Sequence, residues 1–529
     1  MAAILSPSGG FLITQPDNHR ITISLPDIAK AELIINPFSV NILGGENQLL
    51  TSIVGICFPN LKGQWQYAHI AHLTSANDTS CQVRLSSFTA PDNINLSVIA
   101  EQNSLLLEIN AYGNSNLNWL GLDLTSRNDE HFLGLGERFD HLDQRGHEIK
   151  LYVQNSTTGG EVYKPIPFYC STAGYGLQIL TDVSCSLHLA SDDKPGYVTI
   201  RNNAPSMALR ILFGNNLKEI ISRYTDFCGR LPPPPRWVFG PWKSRSWETD
   251  NQQKLLEDLA MEQSLNLPGS VKLIDAAWEP YYHSFSFDPQ RFPDPQTMID
   301  RVHQSGNNLI LWISPWLSCQ NPPTEVYLEC VDQGYFIRNP LGQTYVHRIT
   351  NSPVMFGSCL DFTNPDTIKW WKAHLRRLIR MGIDGFKTDF GEQIPEDAVF
   401  FDGRTGHEMH NIYPRLYNQI TYEVLEEEEK EGILLARSAW DGSQAYSAIW
   451  AGDQTSDFSP ATGLKSVILA GQNAGLSGFP YWGSDIGGYF GNPTDEVFIR
   501  WAQFGAFSPI MQIHGLGVRE PWKFSEQTL

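Results

Sequence analysis

The chain has 529 residues, of which 41% are hydrophobic and 18% charged, too apolar and too weakly charged for a disordered polymer. Its 38 Lys and Arg against 57 Asp and Glu leave a formal charge of −19. That excludes nucleic acid and anionic membrane as expected partners, since both need a basic footprint.

Met1–Pro7 shows neither a basic n-region nor a sustained apolar h-region, so no signal peptide is read there. No apolar run reaches the ~18 residues that a membrane-spanning helix requires. The eight cysteines are scattered and form no Cys-x-x-Cys pair. Neither a disulfide framework nor a zinc site is expected from them. The sequon Asn155-Ser156-Thr157 carries no weight without a secretion signal. The expected location is the cytoplasm.

Up to about Leu231 the chain reads as β-rich. Short alternating runs such as Ile21–Leu25 and Leu105–Ile109 are separated by Gly, Asn, Asp and Pro clusters. A β-sandwich over residues 1–231 is the expectation. Pro232–Pro235 cannot continue a helix or a sheet and reads as a linker.

From residue 232 to 529 short apolar runs alternate with helical stretches. Candidate strands are Trp237–Trp242, Ser270–Ala276, Asn308–Ser314, Ile383–Asp389, Ile433–Ser438, Ile449–Asp453, Leu476–Trp482 and Pro509–His514. Gln252–Gln263, Thr297–Gln304 and Thr367–Met381 are among the helices expected between them. Eight strands in βα alternation predict an α/β fold, a (β/α)8 TIM barrel. No Gly-x-Gly-x-x-Gly follows a strand, as a doubly wound nucleotide-binding sheet would suggest. More than 60 residues separate strands three and four, which predicts an insertion around Val331–Leu360.

Barrel enzymes carry their chemistry at the C-terminal ends of the strands. Polar and indole side chains gather there in seven of the eight strands: Asp275 and Trp278, Trp312 and Trp316, Lys387 and Asp389, Arg437, Trp450 and Asp453, Trp482 and Asp485, and His514. One such residue is normally a cap or a core side chain, but seven strand ends are hard to explain by packing. Carboxylates, Arg and His suit sugar hydroxyls, and indole faces suit the apolar faces of a pyranose. Asp389 and Asp453 are the candidate catalytic pair. Lys387, two residues from Asp389 on the same strand face, is expected to keep Asp389 ionised. Asp453 must hold a proton near neutral pH, with Trp450 and desolvation raising its pKa.

At these residues the chain resembles glycoside hydrolase family 31, the retaining α-glycosidases with a (β/α)8 barrel. Phe386–Glu392 resembles the family's nucleophile strand and Trp450–Asp453 its acid/base segment. Ala436–Ser438, Gly478–Gly488 and Ile513–Gly515 are similar to its sugar-binding strand ends. Leu133–Phe139 resembles a sandwich motif that reaches towards the active site. The resemblance implies a double displacement in which Asp389 attacks the anomeric carbon and Asp453 serves as acid, then base. In retaining enzymes the two carboxyl groups lie about 5–5.5 Å apart. It also implies that Asp275, Arg437, Asp485 and His514 hold the innermost sugar, and that no cofactor or metal is needed. Trp278, Trp312, Lys387, Trp450 and Trp482 complete the expected substrate-binding set. The expected ligand is an oligosaccharide or small α-glycoside.

For specificity, Lys387–Pro395 and Met409–Asn411 resemble the α-xylosidase branch, while Trp450–Asp453 resembles the α-glucosidase branch. Ala276-Ala277 stands where xylosidase relatives carry bulkier residues, which leaves room for a hydroxymethyl group. Leu273 and Pro353–Gly357 depart from patterns common among the relatives. An α-glucosidase is expected ahead of an α-xylosidase. A carbohydrate-binding or inactive barrel is the rival from another class. His407 and His410, the nearest thing to a metal-ligand pair, fall between strands four and five and read as structural. The length thus resolves into two domains instead of the three or four that ~150 residues per domain would suggest. His514 lies 15 residues (529 − 514) from Leu529, so the C-terminal β-domains of the family are expected to be missing from this chain.

Overall fold

The computed structural model describes the chain except residues 1–2, 6–11, 18, 26–27, 60–63, 69, 78, 87–92, 113–117, 157–161, 320–321 and 350–355. Met1, Ala2, Ser6 and Pro7 of the chain start, Thr157 of the sequon, Pro353–Met355 and the side chain of Ala277 therefore lie outside the described residues.

The N-terminal half builds two antiparallel sheets, one of eleven strands and one of eight. Alternation dictates their faces: in Arg20–Leu25, Ile21, Ile23 and Leu25 are buried while Thr22 and Ser24 are partly exposed. Leu105, Leu107 and Ile109 do the same in Ser104–Tyr112 and pack into the core shared by the two sheets. One helix was not legible in the sequence. Leu217–Cys228, N-capped by Asn216, follows the last sandwich strand and leads into the prolines. The prolines are not a free spacer. The Leu231 amide donates to the Gln444 carbonyl at 2.9 Å, and the Leu231 side chain packs into the apolar interior of the barrel with Val238 and Trp242.

Eight parallel strands close the barrel: β1 (Pro241–Ser244), β2 (Val271–Ile274), β3 (Asn308–Ile313), β4 (Gly385–Thr388), β5 (Ile433–Ala436), β6 (Ala448–Trp450), β7 (Trp482–Asp485) and β8 (Ile510–Ile513). β8 pairs with β1 to complete the ring. Two strands differ from expectation. Trp237–Phe239, expected to open the first strand, lies in the 3-10 turn Arg236–Phe239 before β1. β7 begins only at Trp482, because Leu464–Leu476 is a helix and Ser477–Tyr481 is the loop after it. Outer helices start at side-chain caps, as at Asn251, Asp294, Asn364 and Thr494, which satisfy amides that have no partner within the helix.

The insertion between β3 and β4 begins earlier than Val331. It contains Trp316–Ser318, the helix Glu325–Gln333, His347–Arg348 and Phe356–Cys359, whose three short strands form their own sheet.

Candidate active site

Asp389 follows β4 directly. Its amide still donates to Ile313 of β3 at 2.9 Å, which carries the sheet register one residue past the strand. The chain then turns sharply, with Phe390 at φ 61° and Gly391 at φ 102°. A side chain at 391 would also meet Ser438 Oγ at 2.8 Å, so glycine is required twice over. The turn leaves the carboxylate of Asp389 at the barrel mouth. Trp312 Nε1 donates to Oδ2 at 2.7 Å, the Phe390 amide donates to Oδ1 at 2.9 Å, and Arg437 Nη1 stands 2.9 Å from Oδ1. All three partners are donors, so Asp389 meets a ligand as an acceptor or nucleophile.

The cation beside Asp389 is thus Arg437, not Lys387 as the strand spacing suggested. Lys387 Nζ turns to Asp275 Oδ2 at 3.3 Å and lies 4.5 Å from the Trp450 ring centroid. Arg437 spans two carboxylates, Asp389 with Nη1 and Glu392 with Nη2. Burial disfavours the Arg437 charge, but Asp389 and Glu392 more than compensate and raise its pKa. Burial raises the pKa of Glu392, with Arg437 opposing.

Asp453 sits in different surroundings. It follows Gly452, at φ 83°, and among the described residues its carboxyl has no hydrogen bond or ion pair. Burial pushes its pKa up to about 6, against the pull of Arg437 and with help from Asp389. The Asp485 carboxyl is pushed by burial to about 7. Gln512 donates to its Oδ1, and its Oδ2 has no partner among the described residues. His514 Nε2 lies 3.5 Å from Asp275 Oδ2. Burial, then Lys387, Arg519 and Lys243, hold its imidazole neutral, well below the usual histidine range. Asp275 also caps the turn Ala276–Trp278 through the Ala276 amide at 2.9 Å.

The strand ends thus bring together Asp275, Trp312, Lys387, Asp389, Arg437, Trp450, Asp453, Asp485 and His514. Two expected substrate residues do not join them. Trp278 is fully buried, donates Nε1 to the Trp312 carbonyl at 2.7 Å and packs edge-on against Phe287. It supports Trp312 and has no face open to a sugar. Trp482 opens β7 instead of ending it, so it points outward. Its ring packs on Phe504 and its Nε1 donates to Glu137 at 2.7 Å. Ser484, two residues on, likewise faces the outer helix through Trp501, while Asp485 faces inward.

Sequence reasoning also missed residues. Glu392 stood in a quoted motif without a role. Tyr163 and Lys164 come from the sandwich and meet β5 and β6 across more than 270 residues of chain. The one available signal was a lysine inside the apolar run Val162–Phe168. His410 uses both ring nitrogens on backbone carbonyls, of Ile394 and Val153, and His407 Nε2 contacts the Asn203 carbonyl. Among the described residues no group of three or more His, Cys, Asp or Glu is placed to hold a metal ion.

A parallel barrel with paired carboxylates at its strand ends, docked on an antiparallel sandwich, is an architecture of glycoside hydrolases. The chain belongs to glycosyl hydrolase family 31: the profile described as the family 31 TIM-barrel domain matches residues 231–529, and that of the family 31 N-terminal galactose mutarotase-like domain matches residues 64–182. Alpha-xylosidase XylQ of Lactiplantibacillus pentosus is 33% identical over 425 residues, covering 78% of this chain and 54% of XylQ. Alpha-glucosidase 2 of Bacillus thermoamyloliquefaciens is 27% identical over 421 residues, covering 75% of this chain and 52% of that enzyme. The chain spans about half the length of these curated relatives. The solved structure of a family 31 sulfoquinovosidase from E. rectale with an aza-sugar inhibitor superposes with a TM-score of 0.76 at 22% identity, covering 95% of this chain and 78% of that one.

Proposed function

We propose that the chain carries the active site of a retaining α-glycoside hydrolase that acts on α-glucosides through a covalent glycosyl-enzyme. The observation that carries this reading is the contrast between the two carboxyl groups. Asp389 is held by three donors, as a nucleophile requires, whereas Asp453 has no hydrogen-bond or ion-pair partner among the described residues and keeps its proton to about pH 6, as a general acid requires. Asp389 attacks the anomeric carbon as Asp453 protonates the departing oxygen. Asp453 then deprotonates the water that releases the sugar. Arg437, Asp275, Lys387, Asp485 and His514 bind the hydroxyls of the innermost sugar, Trp312 walls the site, and Trp450 lies buried beneath Lys387.

The small side chain of Ala276, beside Asp275, favours a glucoside with its hydroxymethyl group. An α-xyloside is the second reading, favoured by the name of the 33%-identical relative. Incubation with aryl α-glucoside, α-xyloside, α-galactoside and α-sulfoquinovoside, followed by NMR, tests both. An α-anomer as first product and preference for the glucoside are expected. A β-anomer sinks the assigned roles, and preference for the xyloside or sulfoquinovoside sinks the specificity. Binding without turnover supports the inactive-barrel reading.

A further inference from the structure

The sandwich reaches the strand ends through two consecutive side chains. The ammonium of Lys164 is fully buried and donates to the carbonyls of Arg437 at 2.8 Å and Trp450 at 2.9 Å. Its third partner is Glu137, which is itself held by the Trp482 indole. The Lys164 carbonyl accepts from the Glu137 amide at 3.0 Å. Gly136 packs against the same carbonyl so closely that a Cβ there would stand 2.0 Å from it. The two carbonyls that Lys164 joins are not arbitrary. Arg437 grips Asp389, and Trp450 precedes Asp453 by three residues.

Tyr163 occupies the space above. The Ala439 amide donates to its carbonyl at 3.3 Å, and its ring centroid lies 5.1 Å from the Arg437 guanidinium. The ring also lies against Gly452. A Cβ at position 452 would stand 2.4 Å from the ring. The sandwich therefore supplies the cover over the backbone immediately before Asp453, where the barrel has no side chain of its own.

We propose that Lys164 and Tyr163 are positioning residues for the acid/base step: Lys164 locks the β5 and β6 ends to one another, and Tyr163 keeps water off the backbone that presents Asp453. This rests on the role of Asp453 proposed above. Neither side chain reaches the reacting atoms. The charged or titratable groups facing Asp453 are Arg437, Lys387, Asp389, Asp275, Asp485 and Tyr489 from the barrel and Tyr163 from the sandwich. Tyr163 and Tyr489 are the two among them whose loss changes solvation without removing a formal charge, and Tyr163 is the one the sandwich supplies.

The test compares Tyr163→Ala, Tyr163→Phe and the double variant Glu137→Gln/Lys164→Met with the unmodified chain; the double variant leaves no charge unpaired. Two readouts are used. One is the Asp453 carboxyl midpoint from 13C NMR, assigned against Asp453→Asn. The other is kcat/KM on a disaccharide relative to an activated aryl glycoside. In Tyr163→Ala the midpoint is expected to move from about 6 towards the ordinary 3.8. Disaccharide turnover is expected to fall ~10-fold more than aryl glycoside turnover, because only the former needs the acid. Tyr163→Phe keeps the ring and stays within ~3-fold of the parent on both substrates. The double variant loses kcat on the disaccharide with KM unchanged. If Tyr163→Ala fails to fold, Tyr163→Leu is read in the same two ways. Equal loss on both substrates with an unmoved midpoint overturns the proposal, as does a Tyr163→Phe variant that behaves like the alanine. Should the parent chain hydrolyse no α-glycoside, the functional reading fails, yet the midpoint still tests Tyr163 because it needs no turnover.

Discussion

Arg437 Nη1 stands 2.9 Å from Asp389 Oδ1 while Nη2 of the same guanidinium bonds Glu392. One planar fork therefore sets the position of the carboxylate proposed as nucleophile and pairs a second, buried one. Lysine has the charge but not the fork. Arg437→Lys is expected to lower kcat/KM by ~10²-fold or more, since a donor to a charged group is worth about 1.5–3 kcal/mol and positioning is lost with it. It should also lower the melting temperature, because Glu392 is left buried with a weaker partner. Arg437→Lys/Glu392→Gln should regain melting temperature but not activity. Recovery of activity in the double variant would show that Arg437 serves the fold alone.

Asp453 keeps its proton to about pH 6. In the proposed mechanism, transfer of the sugar to Asp389 needs the protonated form, so kcat/KM on a disaccharide is expected to fall as pH rises through about 6. Asp453→Ala should lose ~10²–10⁴-fold on that substrate and far less on an activated aryl glycoside, whose leaving group needs no proton. The variant's remaining activity on the aryl glycoside should lack the alkaline limb. A limb that persists there assigns it to another group, with Asp485, pushed to about 7, the first to examine.

Much of this site was legible because barrel chemistry sits at strand ends, and the strand runs are short, apolar and followed by polar residues. Asp275, Asp389, Arg437, Asp453 and His514 could be placed at one mouth from the strand pattern, whereas Asp485 lay three residues past the strand as read and was reached through the family-like segment Gly478–Gly488. Trp482 could not. The apolar residues of Leu464–Leu476 belong to a helix, yet their continuation Leu476–Trp482 has the length and composition of a strand. Reading it so moved Trp482 from the start of β7 to its end and turned it inward. The cation at Asp389 was misjudged for a related reason. Spacing of two along β4 places Lys387 on the right face, but only the neighbouring strand shows that Arg437 reaches Asp389 from β5. Lys164 and Tyr163 were beyond reach, since contacts that join the sandwich to the barrel leave no periodic trace.

Asp250 is buried outside the site, facing Lys243, Arg245 and Asp258, and burial raises its pKa to about 7. The folded chain thus holds a proton there that the unfolded chain, at 3.8, has released. Between about pH 4 and 7 the native state binds more protons, so this group's contribution to stability declines as pH rises through that window. Asp250→Asn removes the titration. Its melting temperature should exceed the parent's by a small margin at pH 5 and by a larger one at pH 8. A constant difference at both pH values would mean that the carboxyl is not the group responsible.

Two indoles each donate to a carboxylate at 2.7 Å, and their consequences should separate. Trp312 Nε1 binds Asp389 at the barrel mouth, whereas Trp482 Nε1 binds Glu137 behind the strands. Phenylalanine at either position keeps most of the ring packing and removes the donor. Trp312→Phe trims a buried ring but leaves Asp389 with Arg437 and the Phe390 amide, so stability should fall by about 1–3 kcal/mol while kcat falls ~10-fold or more. Trp482→Phe leaves a buried Glu137 oxygen without its donor and should cost about 1–3 kcal/mol of stability. It also loosens the Glu137–Lys164 clamp, so a modest loss of kcat is expected, but KM should stay unchanged because Trp482 has no face towards the sugar. Melting curves and steady-state kinetics on both variants decide the matter. A raised KM in Trp482→Phe would restore Trp482 to the substrate site and would require β7 to begin earlier than Trp482.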